Sequence, residues 1–287
     1  MSHLNSAARP QHVSRQPDDS GFSEHLGVTA AEIAAQLSAA GATCVTGVVS
    51  DEWLCAARES IATHLPITGS ELEIKGAAAE SHSFVRQFVR APHVLALLRS
   101  VAVAGYPQLD RDHDDVETTI RIVLGDNAAA QPLWFHYDRS VVTMVVPITI
   151  PRGDPQRSGE LILCPNRRPF RRFVVTNIVE KAVVQTDLYR RRFQRTLDVN
   201  RDATVIPLQP GNAYLFSGYR TYHATFPCEP DALRLTMVIM FGAVHGGHPL
   251  LRAAQWLRGC LRGFRSGTNA HKQTAHVDEL STLRSGH

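Results

Sequence analysis

Between Glu117 and Phe241 the chain divides into eight short apolar segments separated by turn residues: "ETTIRIVLG", "PLWFHYDR", "VVTMVVPITI", "GELILCP", "TVIPLQ", "NAYLFSG", "TYHATF" and "LRLTMVIMF". This succession limits the fold more than any other feature of the sequence. Eight β segments with few helices between them predict an antiparallel barrel or a double-sheet jelly roll. The one long interruption is the segment 166–202, which begins "NRRPFRRFVVTNIVEKAVVQTDLYRRRFQRTLDVN", with a helix predicted from Asn177 to Arg195. Ahead of the β region the signals are helical. Thr29-Ala-Ala-Glu32 fits a capping box, Ile33 and Leu37 follow on one helical face, and Gly41 marks a stop. A short strand "TCVTGVV" comes next, and Ser50 caps a second helix with Trp53, Leu54, Ala57 and Ile61 at helical spacing. The fold class is thus mainly β with flanking helices, an α+β chain of one domain.

Residues 1–22 and 265–287 are polar and without periodicity, so both read as disordered tails around an ordered domain at 23–264. That domain divides into a helical lead-in (23–115), a β core (116–243) carrying the insertion, and a C-terminal helix (249–264) with Leu250, Ala254, Leu257, Leu261 and Phe264 as its apolar stripe. Hydrophobic residues make up 44% of the 287, enough for a sizeable core, yet no apolar run approaches a membrane span and no signal-peptide core is present. A cytoplasmic protein without membrane association is the expectation. Five cysteines, scattered and never spaced as Cys-x-x-Cys, argue against disulfides and against a thiolate metal site.

Against this apolar background, His136 and Asp138 stand two residues apart in "PLWFHYDRSVVTMVVPI". On a β-strand that spacing puts an imidazole and a carboxylate on one face. His-x-Asp occurs three times in the chain, but the triplets at His113 and His276 fall in an acidic connection and in the C-terminal tail. Further along, "SGYRTYHATFPCEPDALRLTMVIMFG" reads as a β-hairpin. If it is symmetric about Cys228 and Glu229, His223 falls opposite Arg234, with Thr236 on the same face as the arginine. A buried guanidinium needs an anionic partner, and a bound carboxylate would supply one. Two histidines and one carboxylate on one side of a metal form the facial triad of non-haem iron(II) oxygenases.

At these residues the sequence resembles the iron(II)- and 2-oxoglutarate-dependent dioxygenases, which are built on a double-stranded β-helix. The shared pattern is His-x-Asp, a distal His, ten residues, then Arg-x-Ser/Thr. It stands here as His136-Tyr137-Asp138, His223 and Arg234-Leu235-Thr236. "SGELILCPN" and "GNAYLFSGYRTYHA" are similar to the strands that follow the first metal ligand and precede the distal one, and "LSAAGATCVTGVVSDEWLCAARESI" resembles the lead-in of the phytanoyl-CoA-hydroxylase-like branch. The resemblance implies Fe(II) held by His136, Asp138 and His223, and 2-oxoglutarate held by Arg234 and Thr236. It further implies O2 as oxidant, succinate and CO2 as products, and hydroxylation as the default outcome. Halogenating relatives lack the carboxylate, so Asp138 speaks against halogenation.

Other residues carry two readings each. Arg121 either contacts a co-substrate or substrate carboxylate or points to solvent. Trp134, Tyr137, Arg139 and Tyr222 either line the pocket or simply pack. Arg167, Arg168, Arg171, Arg172, Arg190, Arg191, Arg192 and Arg195 in the insertion raise nucleic-acid binding as an alternative, while a lid over a small-molecule site and a solvated helix face use the same charges. The resemblance implies an insertion that covers the mouth of the site, which favours a small-molecule substrate, anionic or carrier-bound, over nucleic acid; with a net charge of only +3, attraction to polyanions would have to come from local clustering. A non-catalytic cupin-like binding protein, and an oxygenase acting on RNA or protein through the arginines, are the competing classes. The oligomeric state is not encoded in these motifs.

Overall fold

Nine strands in two antiparallel sheets carry the domain, in a computed structural model that describes residues 28–65, 70–109, 115–125, 133–171, 174–197 and 203–244. The predicted tails, the helix at 249–264 and the triplets at His113 and His276 lie outside the described residues. The strands are β1 (Ala42–Val45), β2 (Ser70–Lys75), β3 (Val116–Leu124), β4 (Ser140–Thr149), β5 (Leu161–Cys164), β6 (Thr204–Ile206), β7 (Ala213–Phe216), β8 (Tyr222–Thr225) and β9 (Leu233–Ala243). One sheet has the order β1-β7-β4-β9-β3-β2 and the other β6-β5-β8. A single antiparallel bridge between His136 and His223 adds the segment before β4 to the free side of β8.

Alternation along the strands sorts side chains to two destinations. Ile120 and Ile122 of β3, Val142, Met144, Val146 and Ile148 of β4, and Leu235, Met237, Ile239 and Phe241 of β9 form one core with the helices of the lead-in. Those helices are α1 (Ala30–Ala39), α2 (Asp51–Ile61), α3 (Ala77–Glu80), α4 (Ser83–Arg90) and α5 (Pro92–Gly105), with α5 lying against β4 and β9. The Thr29–Glu32 capping box and the Ser50 cap form as the sequence predicts. The opposite faces of the same strands turn toward the smaller sheet, where Val145, Leu161, Leu163, Tyr214 and Phe216 pack together. Behind the smaller sheet, α6 (Val174–Val184) and α7 (Asp187–Gln194) cover an aromatic group of Phe135, Tyr137, Phe193 and Tyr222.

Four local expectations are revised. "PLWFHYDR" forms one bridge rather than a strand, because its backbone turns from the smaller sheet into β4 of the larger. The hairpin between His223 and Arg234 does not form: β8 pairs with β5, setting His223 opposite Leu163, and β9 pairs with β3, setting Arg234 opposite Val123. The connection after β8 carries the chain from one sheet to the other. The single helix predicted at 177–195 is two, because Thr186 caps a new helix by accepting from the Tyr189 amide. Finally, the charged segment "SELEIK" is an edge strand, β2, paired along β3. No single helix among the described residues is long and apolar enough to cross a membrane; α4 and α5 pass together by length and composition but are bent 55° apart, and their apolar faces lie in the core.

Candidate active site

The backbone brings the two histidines together. The His136 amide donates to the His223 carbonyl at 2.9 Å and the His223 amide donates back at 3.0 Å, which sets the ring centroids 4.3 Å apart. The Asp138 amide donates to the Gly218 carbonyl at 3.0 Å, anchoring the carboxylate beside them. Each ring is oriented by its own chain: His136 Nδ1 lies 2.9 Å from the Trp134 carbonyl and His223 Nδ1 lies 3.0 Å from the Thr221 carbonyl. A carbonyl only accepts, so both Nδ1 atoms carry hydrogen and Nε2 is the atom each ring has left to offer a metal. Those Nε2 atoms face Asp138, His136 at 3.5 Å from Oδ1 and His223 at 3.6 Å from Oδ2. One donor atom from each residue lies within 4.8 Å of the others.

Two imidazoles and a carboxylate on one side of a point, with space opposite, suit a divalent transition metal and iron(II) in particular. Desolvation is the main reason the His136 imidazole is pushed down to about 4; the neighbouring His223 adds to the effect and Asp138 opposes it. At neutral pH His136 therefore offers a lone pair rather than a proton. Thr143 Oγ1 donates to Asp138 Oδ2 at 2.7 Å and is itself 2.8 Å from Ser140 Oγ, which fixes the orientation of the carboxylate. Gly218 makes this packing possible, since a Cβ there would stand 2.7 Å from Asp138 Oδ2 and closer still to Thr143 Oγ1.

Arg234 is 3% exposed, projects from β9 into the space between the sheets, and donates through Nη1 to Thr236 Oγ1 at 3.3 Å. Its Nε has no hydrogen-bond partner, and no ion pair holds it among the described residues. Burial, with a smaller contribution from the nearby Arg121, lowers its pKa to about 10. A buried guanidinium left in this condition is costly unless an anion enters. Gly159 lets it lie where it does. With φ +71 it is in the left-handed region, and a Cβ would stand 2.9 Å from Arg234 Nε and closer to Cδ. Triad and Arg234 line one cavity of about 700 Å³ together with Thr119, Val145, Leu161 and Phe216.

No family model and no curated protein matches the chain. Among solved structures it is similar to a prolyl 4-hydroxylase from Phytophthora capsici, at TM-score 0.53 and 14% identity over 83% of this chain and 70% of that one. A prolyl hydroxylase from Trichoplax adhaerens, in complex with a hypoxia inducible factor oxygen degradation domain peptide fragment, matches at TM-score 0.50 and 11% identity over 77% of this chain and 90% of that one. The fold is a double-stranded β-helix, as in those two hydroxylases.

Within that double-stranded β-helix the remaining predicted residues take different places. Arg121 lines the cavity but already has protein partners, donating from Nε to Glu71 Oε1 at 2.7 Å with Glu73 Oε1 3.6 Å away, both on the unforeseen strand β2. Trp134 lines the cavity and is 42% exposed. Tyr137 and Tyr222 do not line it: their rings pack 4.9 Å apart behind the smaller sheet, and the Tyr222 hydroxyl donates to the Val184 carbonyl. Arg139 does not line the cavity and is held by Glu117, which does, 2.9 Å distant. Of the insertion's arginines, Arg168 is buried between the rings of Tyr137 and Tyr219, with its guanidinium carbon 4.1 and 3.9 Å from their centroids, and Arg171 pairs with Glu180. Thr143, Gly159 and Gly218 belong to the site and were not singled out from the sequence. Nothing but three-dimensional proximity marks Thr143, whereas each glycine stands next to a segment that carries a motif.

Proposed function

We propose that this chain is an Fe(II)- and 2-oxoglutarate-dependent dioxygenase that hydroxylates an unactivated C–H of a small molecule. The observation that carries the reading is the pairing of a complete donor triad with a buried, incompletely matched guanidinium in one cavity. A barrel that only stored a metal has no use for the second feature. Iron(II) bound at the triad supplies, with 2-oxoglutarate and O2, the oxidant for C–H cleavage, the co-substrate leaving as succinate and CO2.

The protein's own contributions follow from the geometry. Trp134 and Thr221 carbonyls hold the imidazoles with their lone pairs inward, and Thr143 fixes the carboxylate rotamer. Arg234 receives the distal carboxylate of 2-oxoglutarate, with Thr236 as the adjoining hydroxyl, and the apolar walls Val145, Leu161 and Phe216 exclude water from the space between. The α1, β1, α2 lead-in supports placing the chain near the phytanoyl-CoA-hydroxylase-like branch, although its substrate is set by the pocket and not by that likeness.

Visible absorption of metal-stripped protein under anaerobic conditions tests the reading. Adding iron(II) and then 2-oxoglutarate is expected to produce a charge-transfer band that needs both additions and weakens in Arg234→Ala. If no band forms and calorimetry detects binding of neither addition, the assignment fails.

A further inference from the structure

The charged groups around the cavity are nearly all matched within the protein. Glu71 and Glu73 hold Arg121, Glu73 also holds Lys75, and Glu117 holds Arg139. Arg234 is spoken for by the co-substrate in the reading above. One further guanidinium lines the same cavity, that of Arg190 on α7, and it is 4% exposed. Its Nε donates to the Phe135 carbonyl at 3.0 Å, and its guanidinium carbon lies 3.2 Å from the centroid of the Trp134 ring. Its Nη1 is buried without a hydrogen-bond partner; the nearest carboxylate, that of Asp187, is 3.7 Å away and three-quarters exposed. The Tyr222 side chain adds a further hydrogen bond, so the guanidinium is rigidly placed and its Nη1 alone is left unmatched.

Its anchor is informative. The carbonyl of Phe135 accepts from Arg190 and the preceding carbonyl, of Trp134, accepts from His136 Nδ1. Neighbouring peptide groups thus serve the insertion and the metal ligand, so the guanidinium of Arg190, which lines the cavity, stands beside His136. We propose that Arg190 selects the substrate by receiving an anionic oxygen, carboxylate or phosphate, of the small molecule that occupies this cavity. The inference rests on the dioxygenase reading and names the substrate class of that site. A guanidinium already held by a ring face and a carbonyl loses little side-chain entropy when the anion arrives, which favours it over the exposed Arg191 and Arg192 of the same helix.

Calorimetry tests this on protein loaded with manganese(II) and saturating 2-oxoglutarate, titrated separately with benzoate and with inorganic phosphate. Saturable binding of at least one is expected, weakened tenfold or more by Arg190→Gln, while the Kd of 2-oxoglutarate changes less than twofold. Which probe binds separates carboxylate from phosphate. Should Arg190→Gln not fold, Arg190→Lys takes its place, and the wild type offers an independent readout: anion binding at Nη1 is expected to alter tryptophan fluorescence, an effect absent in Trp134→Phe. If the wild type binds neither anion, or the variant binds them equally well, the inference is overturned. If benzoate or phosphate binds through Arg190 and 2-oxoglutarate does not bind at all, the anion site stands and the dioxygenase reading falls.

Discussion

Along β9 the odd-numbered residues Leu235, Met237, Ile239 and Phe241 pack into the helical lead-in, whereas the even-numbered Arg234 and Thr236 are equally buried and face the cavity with a donor unmatched. One strand thus carries the strongest packing and the least satisfied polar group of the site. On the apolar side, burial contributes roughly 25 cal/mol per Å² and asks nothing of a ligand. On the polar side, burial costs stability until an anion arrives. The contrast teaches that equal solvent exclusion has opposite meaning on the two faces, and that the function resides where the folding energy is least favourable.

The sharpest way to break that contrast is His223→Ala. It is expected to abolish 2-oxoglutarate turnover while the thermal midpoint stays close to the wild type's, read by succinate formation beside calorimetric unfolding; full turnover without added imidazole would remove the triad from the mechanism. Met237→Ala should do the reverse, lowering stability by about 2–5 kcal/mol with co-substrate affinity unchanged. A denaturant titration that finds the loss below half that range would mean the helical face is not the structural half. Arg234→Gln is expected to weaken 2-oxoglutarate about a hundredfold, equivalent to about 3 kcal/mol, yet to leave the unliganded protein as stable or more so, since it removes an unmatched buried charge. A large drop in stability without ligand would show that Arg234 serves the fold. The smallest effect belongs to Thr143→Val, about tenfold in metal affinity with the protein still active, measured by competition with a chelator.

Much of this was legible in the sequence because the barrel's strands are short, apolar and punctuated, and because the three donors and Arg234 keep their spacing in the chain. The errors have physical causes. Pairing Tyr222–Thr225 with Leu233–Ala243 as a hairpin follows the local rule for adjacent strands, but closing a two-sheet barrel requires the chain to change sheets there, and closure wins. "SELEIK" hides an edge strand, since its two glutamates alternate toward Arg121 rather than toward solvent, and only the arginine's position explains them. Arg190 is one of eight arginines between positions 167 and 195 until Trp134 and Phe135, distant in sequence, supply its bed.

The reciprocal amide bonds between His136 and His223 join a residue that precedes β4 to one that follows β7, so the two imidazoles become neighbours only after most of both sheets has assembled. In small zinc domains a cation can organise an unfolded chain around itself, because the ligands lie close together along it. Here the order of events must be the opposite. Folding comes first, slowed by its long-range pairings, and the cation is loaded into a finished chamber. On the dioxygenase reading, removing and restoring the metal is therefore expected to leave the fold in place, a point that thermal unfolding with and without a chelator checks.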